Sequence, residues 1–218
     1  LAINLLDGEV DTQILDQFRN RLFSTVRELE KVRDWLTSPM ASGLKRGLAQ
    51  WALGNHTEAL PTLEEHCANP TIANCLARSL LEMGRVDEAE AALTERDTCP
   101  SQAATFMACK ARRGKAEDLQ NTLEEMRGKL SPVDVKFYEG RVHELGFESE
   151  AAIACYDEAL AIDGHHGEAL FRLAVNVDLR GEDEEARELY ERALMIPPVN
   201  EACVINLGIL YEDMGKYL

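Results

Sequence analysis

Glu168-Ala169-Leu170-Phe171-Arg172-Leu173-Ala174-Val175-Asn176-Val177, followed by Arg180-Gly181-Glu182-Asp183 and then by Glu184 to Ile196, decides the fold. Apolar residues at 170, 173, 174 and 177 recur at i, i+3, i+4 and i+7, which places them on one helical face. Gly181 suits the left-handed turn that closes such a helix. The period restarts at Ala186, Leu189, Tyr190, Ala193 and Leu194, and Pro197-Pro198 forbids its continuation. The segment Gly167 to Asn200 therefore predicts a helical hairpin. Ala174, Ala186 and Ala193 let the two backbones approach, and Tyr190 fills the space beside them.

The pattern repeats. Thirty-four residues earlier, Gly140 stands for Ala174, and Ala152, Tyr156 and Ala159 stand for the second-helix set. Here Gly146 is displaced by one residue from the turn, and Gly164 replaces the closing proline. Thirty-four residues later come Val204, Leu207, Gly208 and Tyr211, ending in Gly215-Lys216-Tyr217. Toward the front, Gly54, Gly84 and Gly114 recur every 30 residues, and Pro70, Pro100 and Pro132 close the corresponding second helices. Gly47 and Ala77 are the small residues of the first helices, whereas Met107 is bulky at that place. This predicts units at 40–69, 70–99, 100–132, 133–166 and 167–200, with a half unit at 201–218. Residues 1–39 are read as an N-terminal capping region in which Asp11 to Thr37 forms one long helix, with Ile14, Leu15, Phe18, Leu22, Val26, Leu29 and Leu36 on its apolar face. A cap on the first repeat and a coiled-coil helix are both open to it.

A small residue midway along the first helix, glycine at the turn, two alanines flanking an aromatic on the second, and a closing proline resemble the tetratricopeptide repeat family. Ala174, Gly181, Ala186, Tyr190, Ala193 and Pro198 carry that resemblance. It implies an all-α fold, a right-handed superhelical α-solenoid of helix-turn-helix repeats whose first helices line a concave face. It also implies a non-catalytic scaffold that binds a protein or peptide segment in that face. Carried onto this sequence, the groove residues are Asn74, Arg78, Arg112, Phe137, Arg141, Phe171, Arg172 and Asn206, with Val175, Ile205 and Ile209 beside them. Two readings stand for the arginines: they receive an acidic segment with an apolar anchor, or they pair with neighbouring glutamates. The family's carboxylate clamp of lysines and asparagines is not reproduced, since the matching positions hold Leu44, Leu48, Asn74, Arg78, Phe137 and Arg141. Glu168-Ala169-Leu170-Phe171-Arg172-Leu173-Ala174 with Leu207-Gly208-Ile209-Leu210-Tyr211-Glu212-Asp213 is also similar to bacterial proteins in which such repeats precede a domain like the C-terminal domain of the RNA polymerase α subunit. That likeness implies the protein-binding arm of a transcription-associated protein, with the DNA-contacting domain beyond Leu218.

Other classes are disfavoured. The net charge is −16, with 19 acidic against 7 basic residues from Ser131 onward, so the region repels phosphate backbones and direct nucleic-acid binding is not expected. No apolar run reaches membrane length. Leu1 to Leu6 lacks the basic flank of a signal peptide, and the missing initiator methionine points to a piece of a longer protein. Cysteines at 67, 75, 99, 109, 155 and 203 show no C-x-x-C spacing, and reduced, buried thiols in a cytoplasmic protein are favoured over disulfides. No cofactor or metal is expected: His165-His166 is a turn pair with no third ligand, and no catalytic fingerprint is present. The half unit leaves Ile205, Leu207, Ile209 and Leu210 without a covering helix, which predicts self-association there.

Overall fold

The computed structural model describes residues 1–93, 100–197 and 199–215. Cys99, Pro198 and Lys216-Tyr217-Leu218, and with them the unit boundary drawn at 99, lie outside the described residues. The chain divides into two compact units, Leu1–Thr98 and Cys99–Leu218. Among the described residues every regular element is helical, and no helix is long and apolar enough to cross a membrane.

In the first unit a 3-10 turn at Ala2–Leu6 precedes α1 (Thr12–Leu22) and α2 (Val26–Thr37). Two hairpins follow, α3 (Gly43–Ala52) with α4 (His56–Glu65), and α5 (Pro70–Glu82) with α6 (Val86–Ala92). The single helix expected from Asp11 to Thr37 is broken between Leu22 and Val26. The cause is local. Ser24 turns its hydroxyl back onto the Arg21 carbonyl at 2.8 Å, and Thr25 Oγ1 accepts the Glu28 N–H at 3.2 Å as the cap of a new helix. Apolar spacing runs through the break undisturbed, so periodicity alone did not reveal it.

The second unit holds α7 (Pro100–Arg112), α8 (Ala116–Met126), α9 (Pro132–Leu145), α10 (Ser149–Ile162), α11 (Gly167–Asp178), α12 (Asp183–Leu194) and α13 (Glu201–Asp213). Pro100, Pro132, Gly167 and Glu201 each open a first helix. Side-chain caps fix three of these starts: Ser131 for α9, His166 for α11 and Asn200 for α13. Each second helix packs both on its own first helix and on the next one, so first helices form one layer and second helices the other.

Close approach explains the small residues. A Cβ added to Gly140 would lie 2.6 Å from the Tyr156 ring, and one added to Gly47 would lie 2.6 Å from Thr62. Tyr156 and Tyr190 are fully buried in these seats, each contributing a large apolar area to its hairpin. Gly181 turns at φ +77°. In the preceding repeat the left-handed position falls not on Gly146 but on Phe147, at φ +61° and 96% exposed. The one-residue displacement visible in the sequence thus sets a bulky residue where glycine is preferred. Met107, bulky at the small-residue position, is fully buried in α7, and Leu119, Leu123 and Met126 are the buried residues of α8.

Candidate functional site

The chemistry of the second unit gathers on its first-helix layer around Glu144. This residue, in the last turn of α9, receives the Arg141 Nη1 at 2.6 Å from its own helix and the Arg172 Nη1 at 3.4 Å from α11. The Tyr156 hydroxyl of α10 donates to its other oxygen. Two guanidinium groups thus share the Glu144 carboxylate. Neither arginine is saturated. Arg141 Nη1 is held to the carboxylate by charge without an aligned hydrogen bond, and Arg172 Nε is buried with no acceptor.

The two cations differ. Burial works against the charge of Arg141, but Glu144 and Tyr156 together outweigh it and the guanidinium pKa is raised. Arg172 has its pKa lowered, first by burial and then by the like charge of Arg141, with Glu144 and Glu168 opposing. Its guanidinium lies 5.3 Å from the Phe171 ring, and a quarter of its side chain, 26%, reaches solvent. Burial and the Glu144 charge push the Tyr156 hydroxyl pKa well up, so it stays a neutral donor. Asn176 supports the site from behind: its amide donates to the Arg172 carbonyl at 2.9 Å, and Ser149 donates to its oxygen at 3.2 Å.

The sequence-derived groove residues divide. Arg141 and Arg172 come together on Glu144, which realises the glutamate-pairing reading while leaving donors unused. Phe137 and Phe171 are buried, not presented on an open face. Phe137 packs 5.0 Å from the His166 ring and 5.9 Å from Tyr156, because α11 covers it. Asn206 is half-buried, its amide 3.4 Å from the Tyr190 hydroxyl. Arg112 is exposed in the last turn of α7. Asn74 and Arg78 belong to the other unit, Asn74 buried with its side-chain oxygen unbonded and Arg78 exposed. The first-helix positions 34 residues apart then line up as Arg141, Val175 and Ile209, and as Tyr138, Arg172 and Asn206. Val175 is half-buried and Ile209 exposed.

Glu144 and Tyr156, central to the site, were absent from the sequence-derived set. Their signal was there: Glu144 and Asp178 are 34 residues apart, and so are Tyr156 and Tyr190. His166 is committed to structure, since its Nδ1 accepts the Ala169 N–H at 3.0 Å at the start of α11. Among the described residues no group of three His, Cys, Asp or Glu side chains could hold a metal ion. The described cysteines are free thiols: Cys75, Cys109 and Cys203 are buried, Cys155 is half-buried and Cys67 is exposed. Burial pushes the Cys75 thiol up to about 12, leaving it unreactive.

Stacked helical hairpins with a small-residue seat for a buried tyrosine define a tetratricopeptide-type repeat protein. Residues 148–201, from α10 into α13, match the family model described as tetratricopeptide repeat. The chain is similar in fold to the thermophilic tetratricopeptide repeat protein TTC0263 of Thermus thermophilus, with a TM-score of 0.59 over 78% of this chain and 97% of that one at 21% identity. This shows the fold, an all-α solenoid of helix-turn-helix repeats. In sequence it is similar to the photosystem I assembly protein Ycf3 of Prochlorococcus marinus (strain MIT 9215), 33% identical over 69 residues. It is likewise similar to Ycf3 of Synechococcus sp. (strain CC9311), 34% identical over 68 residues. Each match takes in 30% of this chain, and the chain spans only 40% and 39% of the length of these curated relatives.

Proposed function

We propose that this chain is a non-catalytic scaffold whose second unit receives a carboxylate-bearing segment of a partner protein on its first-helix layer. The observation that carries this reading is the shared carboxylate: Glu144 stands between Arg141 and Arg172 and cannot saturate both. An incoming aspartate or glutamate meets Arg172 where its side chain reaches solvent, and the planar guanidinium fork suits a carboxylate. Val175, one turn further along α11, gives the same segment an apolar contact. The assembly role named for the Ycf3 relatives supports a partner that is itself a subunit of a larger complex, held while it is put together.

Selection from a displayed library of 12-residue peptides against the full chain tests the reading. The expected binders carry Asp or Glu next to Leu, Ile or Phe, and lose at least tenfold in affinity against Arg172→Glu. Binders without acidic residues, or acidic binders indifferent to Arg172→Glu, would overturn it.

A further inference from the structure

Every first helix from α3 to α13 ends on a residue with left-handed backbone. Gly54, Gly84, Gly114, Gly181 and Gly215 take that place, but after α9 it falls to Phe147 at φ +61°. The turn is otherwise the same. The Glu148 N–H donates to the His143 carbonyl at 2.9 Å, as the Glu182 N–H does to the Val177 carbonyl at 3.3 Å. Only the side chain differs, and it stands 96% exposed. The backbone is strained here, while the fold gains almost no buried area from the ring.

A second large apolar residue stands in the neighbouring turn. Leu179, between α11 and α12, is 81% exposed. It lies two residues before the left-handed position, where the turns after α5, α7 and α13 hold Glu82, Arg112 and Asp213. Packing therefore does not demand leucine there. The two turns lie side by side. Ser149, two residues after Phe147, donates at 3.2 Å to the side chain of Asn176, three residues before Leu179. Arg172 of α11 reaches Glu144 of α9 across the same gap at 3.4 Å. Phe147 and Leu179 thus share one edge of the second unit, where the first helices end, and give it an exposed apolar patch.

The charge around this patch fixes the kind of partner. Glu148 and Glu150 stand beside Phe147, and Asp183 and Glu185 follow Leu179, all four exposed. Acids at the starts of α10 and α12 suit the helix dipoles and by themselves call for no ligand. Whatever their cause, they give the patch a negative rim. The basic groups of the edge face its acids, His143 Nδ1 at 2.6 Å from Glu148 and Arg180 at 2.8 Å from Glu182, so the edge stays negative in sum. A second copy of this chain, of net charge −16, would meet like charge there, as would an anionic membrane. We propose that Phe147 and Leu179 are the apolar anchors of a docking edge for a basic protein segment, one whose lysines or arginines flank an apolar face. That segment is opposite in charge to the one proposed for the first-helix layer, and the edge does not rest on the arginine site.

The test uses the full chain and a displayed library of helix-forming peptides. Peptides are kept that bind the unmodified chain and are lost from Phe147→Gly/Leu179→Ser. Phe147→Gly restores the residue that the other turns use, so loss of binding in it is not loss of fold. The peptides kept are expected to hold more Lys and Arg than Asp and Glu, around an apolar face. Each single substitution should weaken them at least tenfold, and so should raising salt from about 50 mM to about 500 mM. If no peptide is kept, or those kept have no basic excess, the proposal is overturned. Phe147-dependent binding to phosphatidylcholine vesicles would assign the edge to a lipid surface, and Phe147-dependent dimers would assign it to a second copy. Either result overturns the protein partner. Amide hydrogen exchange of the unmodified chain needs no variant. A kept peptide is expected to slow exchange at residues 146–150 and 179–183, and protection confined to other segments would overturn the assignment.

Discussion

Tyr190 donates a 3.0 Å hydrogen bond to Asp178, twelve residues before it, and Tyr156 makes the same bond to Glu144 twelve residues before it. In each hairpin a buried tyrosine of the second helix therefore ties down a carboxylate in the last turn of the first, or just behind it. In the earlier repeat that carboxylate is also the one shared by Arg141 and Arg172, so the framework bond orients the candidate site. Tyr156→Phe keeps the ring in its seat and removes only the hydroxyl. The expected cost is about 1.5–3 kcal/mol, the range for a hydrogen bond to a charged group. Urea denaturation measures it, and a change under about 0.5 kcal/mol would detach the tyrosine from the site.

Close packing at Gly140 and strain at Phe147 predict opposite outcomes within one repeat. Gly140→Ala drives a methyl into the Tyr156 ring and should destabilise by about 1–3 kcal/mol through overpacking. Phe147→Gly relieves a left-handed backbone at an exposed site and should stabilise by up to about 1 kcal/mol. Thermal unfolding of the two variants should move in opposite directions.

How far the sequence carried the reading follows from which forces are periodic. The hairpins of α9 to α12 were legible because Gly140, Ala174, Tyr156 and Tyr190 recur at a spacing that only close helix packing requires. The break between α1 and α2 was not, because capping by Thr25 is a local hydrogen-bond choice made inside an unbroken apolar stripe. Arg141 and Arg172 could be picked out from their positions; Glu144 keeps a 34-residue register with Asp178, but that register marks the tyrosine bond and not the pairing with two arginines, which is made across helices. Phe137 and Phe171 look like groove residues in sequence. Three-dimensional packing makes them core, because the next first helix arrives over Phe137.

Acid should loosen the N-terminal segment. Glu28 accepts Lys31 Nζ at 2.9 Å and the Ala2 backbone N–H at 3.0 Å, and these bonds hold its pKa below the usual carboxylate range. With the folded pKa depressed, the stabilisation is complete above the unfolded value of about 4.3 and is lost as pH falls through the folded value. Fluorescence of Trp35, in the same helix, should therefore change below about pH 4. Glu28→Gln should remove that step and lower stability at pH 7.

The exposed face of α13 predicts concentration-dependent association. Val204, Ile205 and Ile209 are each at least half exposed, and a Cβ at Gly208 would meet nothing within 4 Å. Light scattering across a dilution series should show self-association that Ile205→Asp/Ile209→Asp abolishes. A chain monomeric at every concentration would remove this surface from consideration.

Methyl chemical shifts on binding test the central claim most directly. A full chain labelled at valine and methionine methyls is titrated with an acidic, apolar 12-residue peptide selected against it. The account predicts that Val175, one turn from Arg172 on the first-helix layer, shifts to saturation, while Met195, exposed at the end of the second helix α12, does not. Shifts at Met195 with Val175 unmoved would place the partner on the opposite layer and contradict the account.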